Sequence, residues 1–185
     1  SSKNNTITID SDKLLLNMEK VIIQSPSIVI YCLASSEQIN DSDLLGIGIS
    51  TNKNHSWFIP WSDEIINQNS KTFSVLDAIF NNPKIKITTH NANRQLSLLD
   101  KAELNIKNFY FDTMLASHTI GKNLLDLNSL TIAIIGTEIE LIKPTKSGLI
   151  IAENDTPIEQ LAILSGQITS SIKKISVQLK NELIE

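Results

Sequence analysis

The feature that most constrains the fold is an apolar run early in the chain. Residues 28–33 read Ile-Val-Ile-Tyr-Cys-Leu and are bounded on both sides by turn-forming residues. A short run of this kind is typical of a strand buried on both faces, at the centre of a sheet that other elements cover. We therefore expect this segment to be a central strand.

The segments around this run predict a mixed α/β sheet with flanking helices. The strands at 27–34, 44–49 and 56–59 are expected to form an antiparallel meander, after which strands alternate with helices. Strands are predicted at 7–9, 27–34, 44–49, 56–59, 85–88 and 109–111. Helices are predicted from an N-cap at Asp10 or Ser11 as far as Ser25 and Pro26, and at 75–80, 93–103, 112–122 and 127–135, with a long closing helix from 157.

The closing helix has the clearest start and the clearest periodicity. Thr156 stands at the N-cap position, Pro157 at the first helical position and Glu159 three residues after the cap, which together predict a capping box. From Leu161 to Leu179 apolar residues recur at steps of three and four. That stripe predicts one long helix packed on the sheet.

Length and composition favour one domain over residues 1–185, with residues 1–5 disordered. The single cysteine, Cys32, excludes an intramolecular disulfide, and no apolar run approaches the length of a membrane span, so we expect an intracellular protein. A net charge of -4 and a lone arginine, Arg94, argue against a dedicated nucleic-acid clamp or sequence-specific DNA recognition.

Several short strings carry a family resemblance through their order. They are Leu-Leu-Gly-Ile at 44–47, Trp-Phe-Ile-Pro at 57–60, His-Asn at 90–91, Phe-Asp-Thr-Met-Leu-Ala-Ser at 111–117 and Leu-Asn-Ser-Leu at 127–130. Together they resemble the proofreading 3′–5′ exonuclease domain of bacterial DNA polymerase I, which has a ribonuclease-H-like fold. The likeness extends from Ile7 to the closing helix.

The resemblance implies where catalytic residues would stand. Active members hydrolyse a phosphodiester with two divalent metals, Mg²⁺ or Mn²⁺, held by carboxylates. The family supplies Asp-x-Glu on the first long strand, an Asp after Gln-Asn, and Tyr-x-x-x-Asp on the last helix. In this chain the corresponding positions hold Tyr31, Leu33, Gln95, Leu161 and Ser165.

The sequence therefore predicts an exonuclease-like domain that has lost its catalytic groups and binds no metal cofactor. We expect it to support the polymerase domain of the same parent chain, a family A DNA polymerase acting in replication and repair. The resemblance further implies a monomer in the bacterial cytoplasm, with no membrane association and at most weak contact with single-stranded DNA.

Two alternatives remain open. The domain is an active metal-dependent exonuclease if carboxylates from elsewhere have taken over, and the nearest candidates are Glu37, Asp41, Asp43 and Asp100. It is a docking module if the old groove still receives single-stranded DNA or a protein. Lys173, Lys174 and Lys180 on the closing helix either contact phosphates or form a solvated face.

Other conspicuous residues have simpler interpretations. The three histidines, His55, His90 and His118, are too widely spaced to predict a metal cluster and are expected at the surface or partly hydrogen-bonded. Cys32 is expected to be a buried, unreactive thiol. The pair Trp57 and Trp61 is expected to pack at the edge of the core, with base stacking as the lesser alternative. Asp112 does not correspond to a metal ligand of the family.

Overall fold

A computed structural model describes residues 5–51, 55–107 and 109–184. The predicted disorder at residues 1–5 falls outside these residues, except for the exposed Asn5. The strands are β1 (Thr6–Thr8), β2 (Ser27–Ala34), β3 (Leu44–Thr51), β4 (Ser56–Pro60), β5 (Lys86–Thr89) and β6 (Phe111–Asp112). The helices are α1 (Asp12–Ile23), α2 (Lys71–Phe80), α3 (Ala92–Lys101), α4 (Thr113–Thr119), α5 (Leu127–Ile135) and α6 (Ile158–Ile184), with a short 3-10 helix at Ile39–Asp41.

The predicted α/β class and mixed sheet are confirmed. The strands form one six-stranded sheet in the order β1-β4-β3-β2-β5-β6, with β2 antiparallel to β3 and parallel to β5. The strands β2, β3 and β4 form the expected antiparallel meander. Every residue of β2 after Ser27 is buried, as its unbroken apolar sequence requires.

Two apolar clusters cover the two faces of the sheet. Because neighbouring side chains on a strand point to opposite faces, Ile30 and Cys32 join the cluster with α1, α2 and α3. Tyr31 and Leu33 join the other cluster, which contains residues of α4, α5 and α6. The side chains of Tyr31 and Leu33 therefore both lie on the face of the sheet that the long closing helix covers.

Local signals account for most helix ends. The Ser11 hydroxyl accepts a hydrogen bond from the Leu14 amide at the start of α1. Gly136 ends α5 with φ of 78°, a conformation that glycine adopts without strain. At α6 the predicted capping box is wrong in detail, since the Thr156 hydroxyl accepts from the amide of Glu153. No helix in the described part of the chain is long and apolar enough to cross a membrane.

Candidate functional site

Two of the five positions that correspond to catalytic residues of the resembled family lie on the carboxyl half of β2, inside the core. Tyr31 is 4% exposed and Leu33 is fully buried, and both belong to the apolar cluster under α5 and α6. Burial raises the pKa of Tyr31 to about 12, so its phenol stays neutral at physiological pH. Neither side chain offers a charged oxygen to a metal.

The helix α6 brings two further positions to the same place. Gly48 of β3 pairs with Tyr31, and a Cβ atom at Gly48 would collide with the Ser165 hydroxyl of α6. Glycine is therefore needed here so that the helix can lie directly on the sheet. Leu161, one turn before Ser165, is buried in the same cluster as Tyr31 and Leu33.

The fifth position, Gln95 of α3, reaches the edge of β2 through a backbone contact. Its Oε1 accepts a hydrogen bond of 2.7 Å from the Cys32 amide. The pairing of β2 with β5 ends at Val29 and Thr88, so Gln95 satisfies a strand amide that β5 does not reach. The Gln95 Nε2 and the Ser165 hydroxyl are both buried without a hydrogen-bond partner among the described residues.

The structure thus gathers all five positions around the carboxyl half of β2 and largely fills the space between them. Ile150 and Ala152, from the segment before α6, are buried in the cluster of Tyr31 and Leu33. The Ala152 amide donates a 3.1 Å hydrogen bond to the Ala34 carbonyl at the end of β2. A cavity of about 130 Å³ remains beside Tyr31. It is smaller than the roughly 300 Å³ at which small-molecule pockets begin.

His90 also lines this cavity, and sequence reasoning missed its burial. It is 4% exposed, and its Nδ1 lies 2.9 Å from the Thr113 hydroxyl. Burial lowers the pKa of His90 to about 4, so the imidazole is neutral at physiological pH. A surface position is therefore wrong for this histidine, while the expected partial hydrogen bonding is confirmed.

Asp112, the last residue of β6, has a structural role. Its carboxylate accepts hydrogen bonds of 2.9 Å from the amides of Asn91, Ala92 and Met114. These amides lie at the amino-terminal ends of α3 and α4, where a negative charge is favourable. The carboxylate joins two helices to the sheet.

The carboxylates suggested as replacement ligands lie at the surface. Asp41, Asp43 and Asp100 are exposed, and the Asp43 carboxylate accepts from the Asn154 side chain. Glu37 is partly buried, and its backbone carbonyl accepts from the Arg94 guanidinium. Within the described residues, no three His, Cys, Asp or Glu side chains come close enough together to hold a metal ion.

Arg94 holds the loop that carries several of these residues. Its guanidinium, 9% exposed, donates to the carbonyls of Ser36 and Glu37 at 2.6 and 2.7 Å. Lys101, two turns later on α3, donates to the carbonyls of Ile39 and Ser42. The single arginine thus anchors backbone, a role that the composition alone did not reveal.

The remaining predictions for single residues are mostly confirmed. Trp57 and Trp61 are buried and pack in the core, so neither exposes a ring face on which a base could stack. Cys32 is buried, and burial raises the pKa of its thiol to about 12. His55 stacks on Trp57, and His118 is exposed on α4. The solvated face proposed for the closing helix is only partly present, because Lys173 and Lys180 are half-buried.

A scan against protein-family models gives one match that covers most of the chain. Residues 7–160 match DNA_pol_A_exo1, whose description is 3′–5′ exonuclease. The chain belongs to this 3′–5′ exonuclease family. The match includes three of the five positions, Tyr31, Leu33 and Gln95, and Leu161 and Ser165 follow it on α6. No curated protein sequence matches this exonuclease-family domain.

Solved structures show the same fold at low sequence identity. The domain superposes on the catalytic core of RRP6 from Trypanosoma brucei with a TM-score of 0.77 and 16% identity, over 98% of this chain and 47% of that one. For Escherichia coli RNase D the TM-score is 0.74 with 15% identity, over 96% and 45% of the two chains. For Pol1 from M. smegmatis it is 0.71 with 13% identity, over 97% and 28%. The domain therefore spans less than half the length of these proteins.

The residues present do not fit the metals that active members of the family use. Mg²⁺ and Mn²⁺ require several oxygen ligands, mostly carboxylates. Here Leu33 has no polar atom, the Tyr31 phenol is neutral and the Gln95 Oε1 already accepts from the Cys32 amide. Ser165 supplies a neutral hydroxyl. We therefore derive no metal-dependent step for this domain.

Proposed function

We propose that this domain is a catalytically inactive exonuclease-like module of a family A DNA polymerase, where it supports the polymerase domain of the same parent chain. One observation carries the proposal. The positions that need carboxylates hold Tyr31, Leu33, Gln95 and Ser165, and these side chains are buried parts of the core.

The energetics favour this interpretation over a merely weakened enzyme. Each buried carboxylate without a partner costs several kcal/mol. The substitution of neutral groups removes that cost, and the apolar groups Leu33 and Leu161 add buried area. A site adapted in this way gains stability from the replacement of unpaired carboxylates, so selection for structure is sufficient to maintain it.

The polymerase parent is supported by two findings. The matching family model is named for the exonuclease of type A DNA polymerases, and the fold recurs within a Pol1 structure that contains DNA primer-template. By this proposal the parent acts in replication and repair in the bacterial cytoplasm. The domain itself would need no cofactor and would act as one copy per parent chain.

The activity is tested with a 5′-end-labelled single-stranded oligonucleotide, incubated with the 185-residue chain and Mg²⁺ or Mn²⁺. We expect no shortening, while a known 3′–5′ exonuclease degrades the same substrate. Steady shortening that a chelator abolishes would overturn the proposal. In that event Glu37→Gln and Asp43→Asn, made separately, would test whether these candidates serve as replacement ligands.

The supporting role requires a separate measurement in the parent chain. Deletion of this domain should lower the unfolding temperature of the polymerase portion and leave the chemistry of nucleotide addition intact. Unchanged stability after the deletion would contradict the supporting role without bearing on the loss of exonuclease activity.

A further inference from the structure

One aromatic side chain departs from the core packing of all the others. The chain has nine aromatic residues, all within the described part, and Tyr110 is the only one with a largely exposed ring, at 55%. It precedes the edge strand β6, and its amide donates to the Ile87 carbonyl of β5. The backbone is therefore fixed while the ring faces solvent.

Two ammonium groups converge on this ring. The Nζ atom of Lys86 lies 4.6 Å from the Tyr110 ring centroid, and that of Lys180 lies 5.3 Å from it. Lys180 also lies 4.7 Å from the Phe111 centroid. These are cation–π distances, so the rings hold the two positive charges in place.

No carboxylate among the described residues neutralises these two charges. The ion pairs in that part of the chain involve Lys71, Lys122 and Lys143. Two cations held beside one another repel, and the chain has twenty acids against sixteen bases, so carboxylates are plentiful. A pair of cations that remains without one marks a place where an external anion would be stabilised.

An apolar groove of about 580 Å³ adjoins the lysines. Its volume lies within the range of ligand-binding clefts. It runs between α3 and α4 along β6, with these side chains in its lining: Lys107, Phe109, Tyr110, Phe111, Met114 and Leu115. The groove therefore combines flat aromatic surface with a positively charged rim.

The groove's cationic end is far from the family's catalytic centre. Lys86 is the first residue of β5 and pairs with Ser27, the first residue of β2, whereas Leu33 lies six residues further along β2. At about 3.3 Å per residue, the two places are roughly 20 Å apart along the sheet. Phosphates bound at Lys86 would thus lie away from the old cleft, although the groove shares Met114 and Leu125 with the cavity beside Tyr31.

We propose that Lys86, Tyr110 and Lys180 bind single-stranded nucleic acid, with the ammonium groups on phosphates and a base in the adjoining groove. An acidic peptide would satisfy the lysines equally well. It would leave the aromatic lining unused, however, whereas unpaired bases stack on aromatic side chains irrespective of sequence. The proposal does not depend on the loss of exonuclease activity.

The test is fluorescence anisotropy of a labelled oligothymidylate of about 12 nucleotides, titrated with the 185-residue chain in the presence of chelator. We expect the affinity to fall as the salt concentration rises. The negative slope of log association constant against log salt should become less steep by about 0.7 for each of Lys86→Gln and Lys180→Gln. Tyr110→Ala should weaken binding about tenfold, and Tyr110→Phe should retain it.

Matched controls separate this surface from general charge. Lys13→Gln and Lys20→Gln on α1 together change the net charge by the same amount as the paired Lys86 and Lys180 substitutions and should leave the slope unchanged. Absence of binding at about 20 mM salt would overturn the proposal, as would equal weakening by the control pair. Competition by polyglutamate as strong as that by unlabelled oligothymidylate would assign the surface to an acidic protein instead.

Discussion

The two ends of this sheet differ in the charge of their side chains: one end is buried and neutral, and the other is exposed and carries two lysines. At the carboxyl half of β2, the positions that correspond to carboxylates of the resembled family hold neutral side chains, and the Gln95 Oε1 accepts a hydrogen bond from the Cys32 amide. At the amino ends of β5 and β6, Lys86 and Lys180 keep their charges beside the exposed Tyr110. The difference follows from access to water, because an unpaired charge is tolerated at a surface and is costly in a core.

Burial also explains why neutral side chains suit the carboxyl half of β2. Carboxylates placed close together in a core repel one another and are costly to bury unless a metal balances their charge. Ile150 and Ala152 belong to the same buried apolar cluster as Tyr31 and Leu33, so neutral side chains at positions 31 and 33 carry no such cost.

The largest effect is expected when carboxylates are introduced around the carboxyl half of β2. Four substitutions are made together: Tyr31→Asp, Leu33→Glu, Gln95→Asp and Ser165→Asp. Without metal we expect loss of the cooperative fold, since several kcal/mol are lost for each buried carboxylate. Mn²⁺ should restore folding, as measured by circular dichroism, and calorimetry should detect its uptake.

A control with the same positions and no charge sharpens that result. The amide variant, with Tyr31→Asn, Leu33→Gln, Gln95→Asn and Ser165→Asn, should be destabilised without any response to Mn²⁺. A carboxylate variant that folds and takes up no Mn²⁺ would contradict the convergence of these positions on one metal pocket.

The sequence predicted most of the fold because its signals are local. The apolar run in β2, the N-cap at Ser11 and the glycine at Gly136 each act within a few residues. The resemblance also located the positions on β2, α3 and α6. It could not show what fills the space between them, because that depends on contacts such as Gly48 with Ser165, which are distant in sequence.

Contacts of this distant kind account for the predictions that were wrong or incomplete. His90 lies in a polar string, which predicts a surface position or partial hydrogen bonding but not the burial that accompanies its contact with the Thr113 hydroxyl of another element. Lys180 was expected on a solvated face and instead lies over Phe111. No periodicity along the chain reports such a partner.

Truncation of one buried side chain beside β2 should lower the free energy of unfolding, whereas truncation of an exposed side chain should hardly change it. Leu33→Ala removes a fully buried side chain from the cluster that contains Leu161 and should lower the free energy of unfolding by about 2–5 kcal/mol. Ile163→Ala, on an exposed position of α6, should change it by about 0.5 kcal/mol or less. Urea unfolding measures both. Similar losses would indicate that the centre is loosely packed.

Because His90 is buried as a neutral imidazole, the free energy of unfolding should also depend on pH. Its pKa is about 4 in the folded protein and about 6.5 when unfolded, so the unfolded chain binds the proton more readily. The stability is fully present above about pH 6.5 and decreases as pH falls towards 4, by roughly 3 kcal/mol for this group. Urea unfolding at several pH values measures this decrease.

His90→Gln supplies the matched control, since the resembled family carries glutamine there. The variant should lose this part of the decrease in stability between pH 6.5 and 4 while remaining folded. An unchanged pH dependence in the variant would show that the imidazole is protonated in the folded state, contrary to its burial.

The smallest effect is expected at the surface, where the comparison predicts tolerance. Lys180→Gln removes the cation–π contacts with Tyr110 and Phe111 and also relieves the repulsion between Lys180 and Lys86, so the two effects oppose each other. We expect the free energy of unfolding to change by about 0.5 kcal/mol or less, as measured by urea unfolding. A large destabilisation would mean that Lys180 is needed for packing. In that case its charge would not mark a binding surface, and the two ends of the sheet would differ less than their charges suggest.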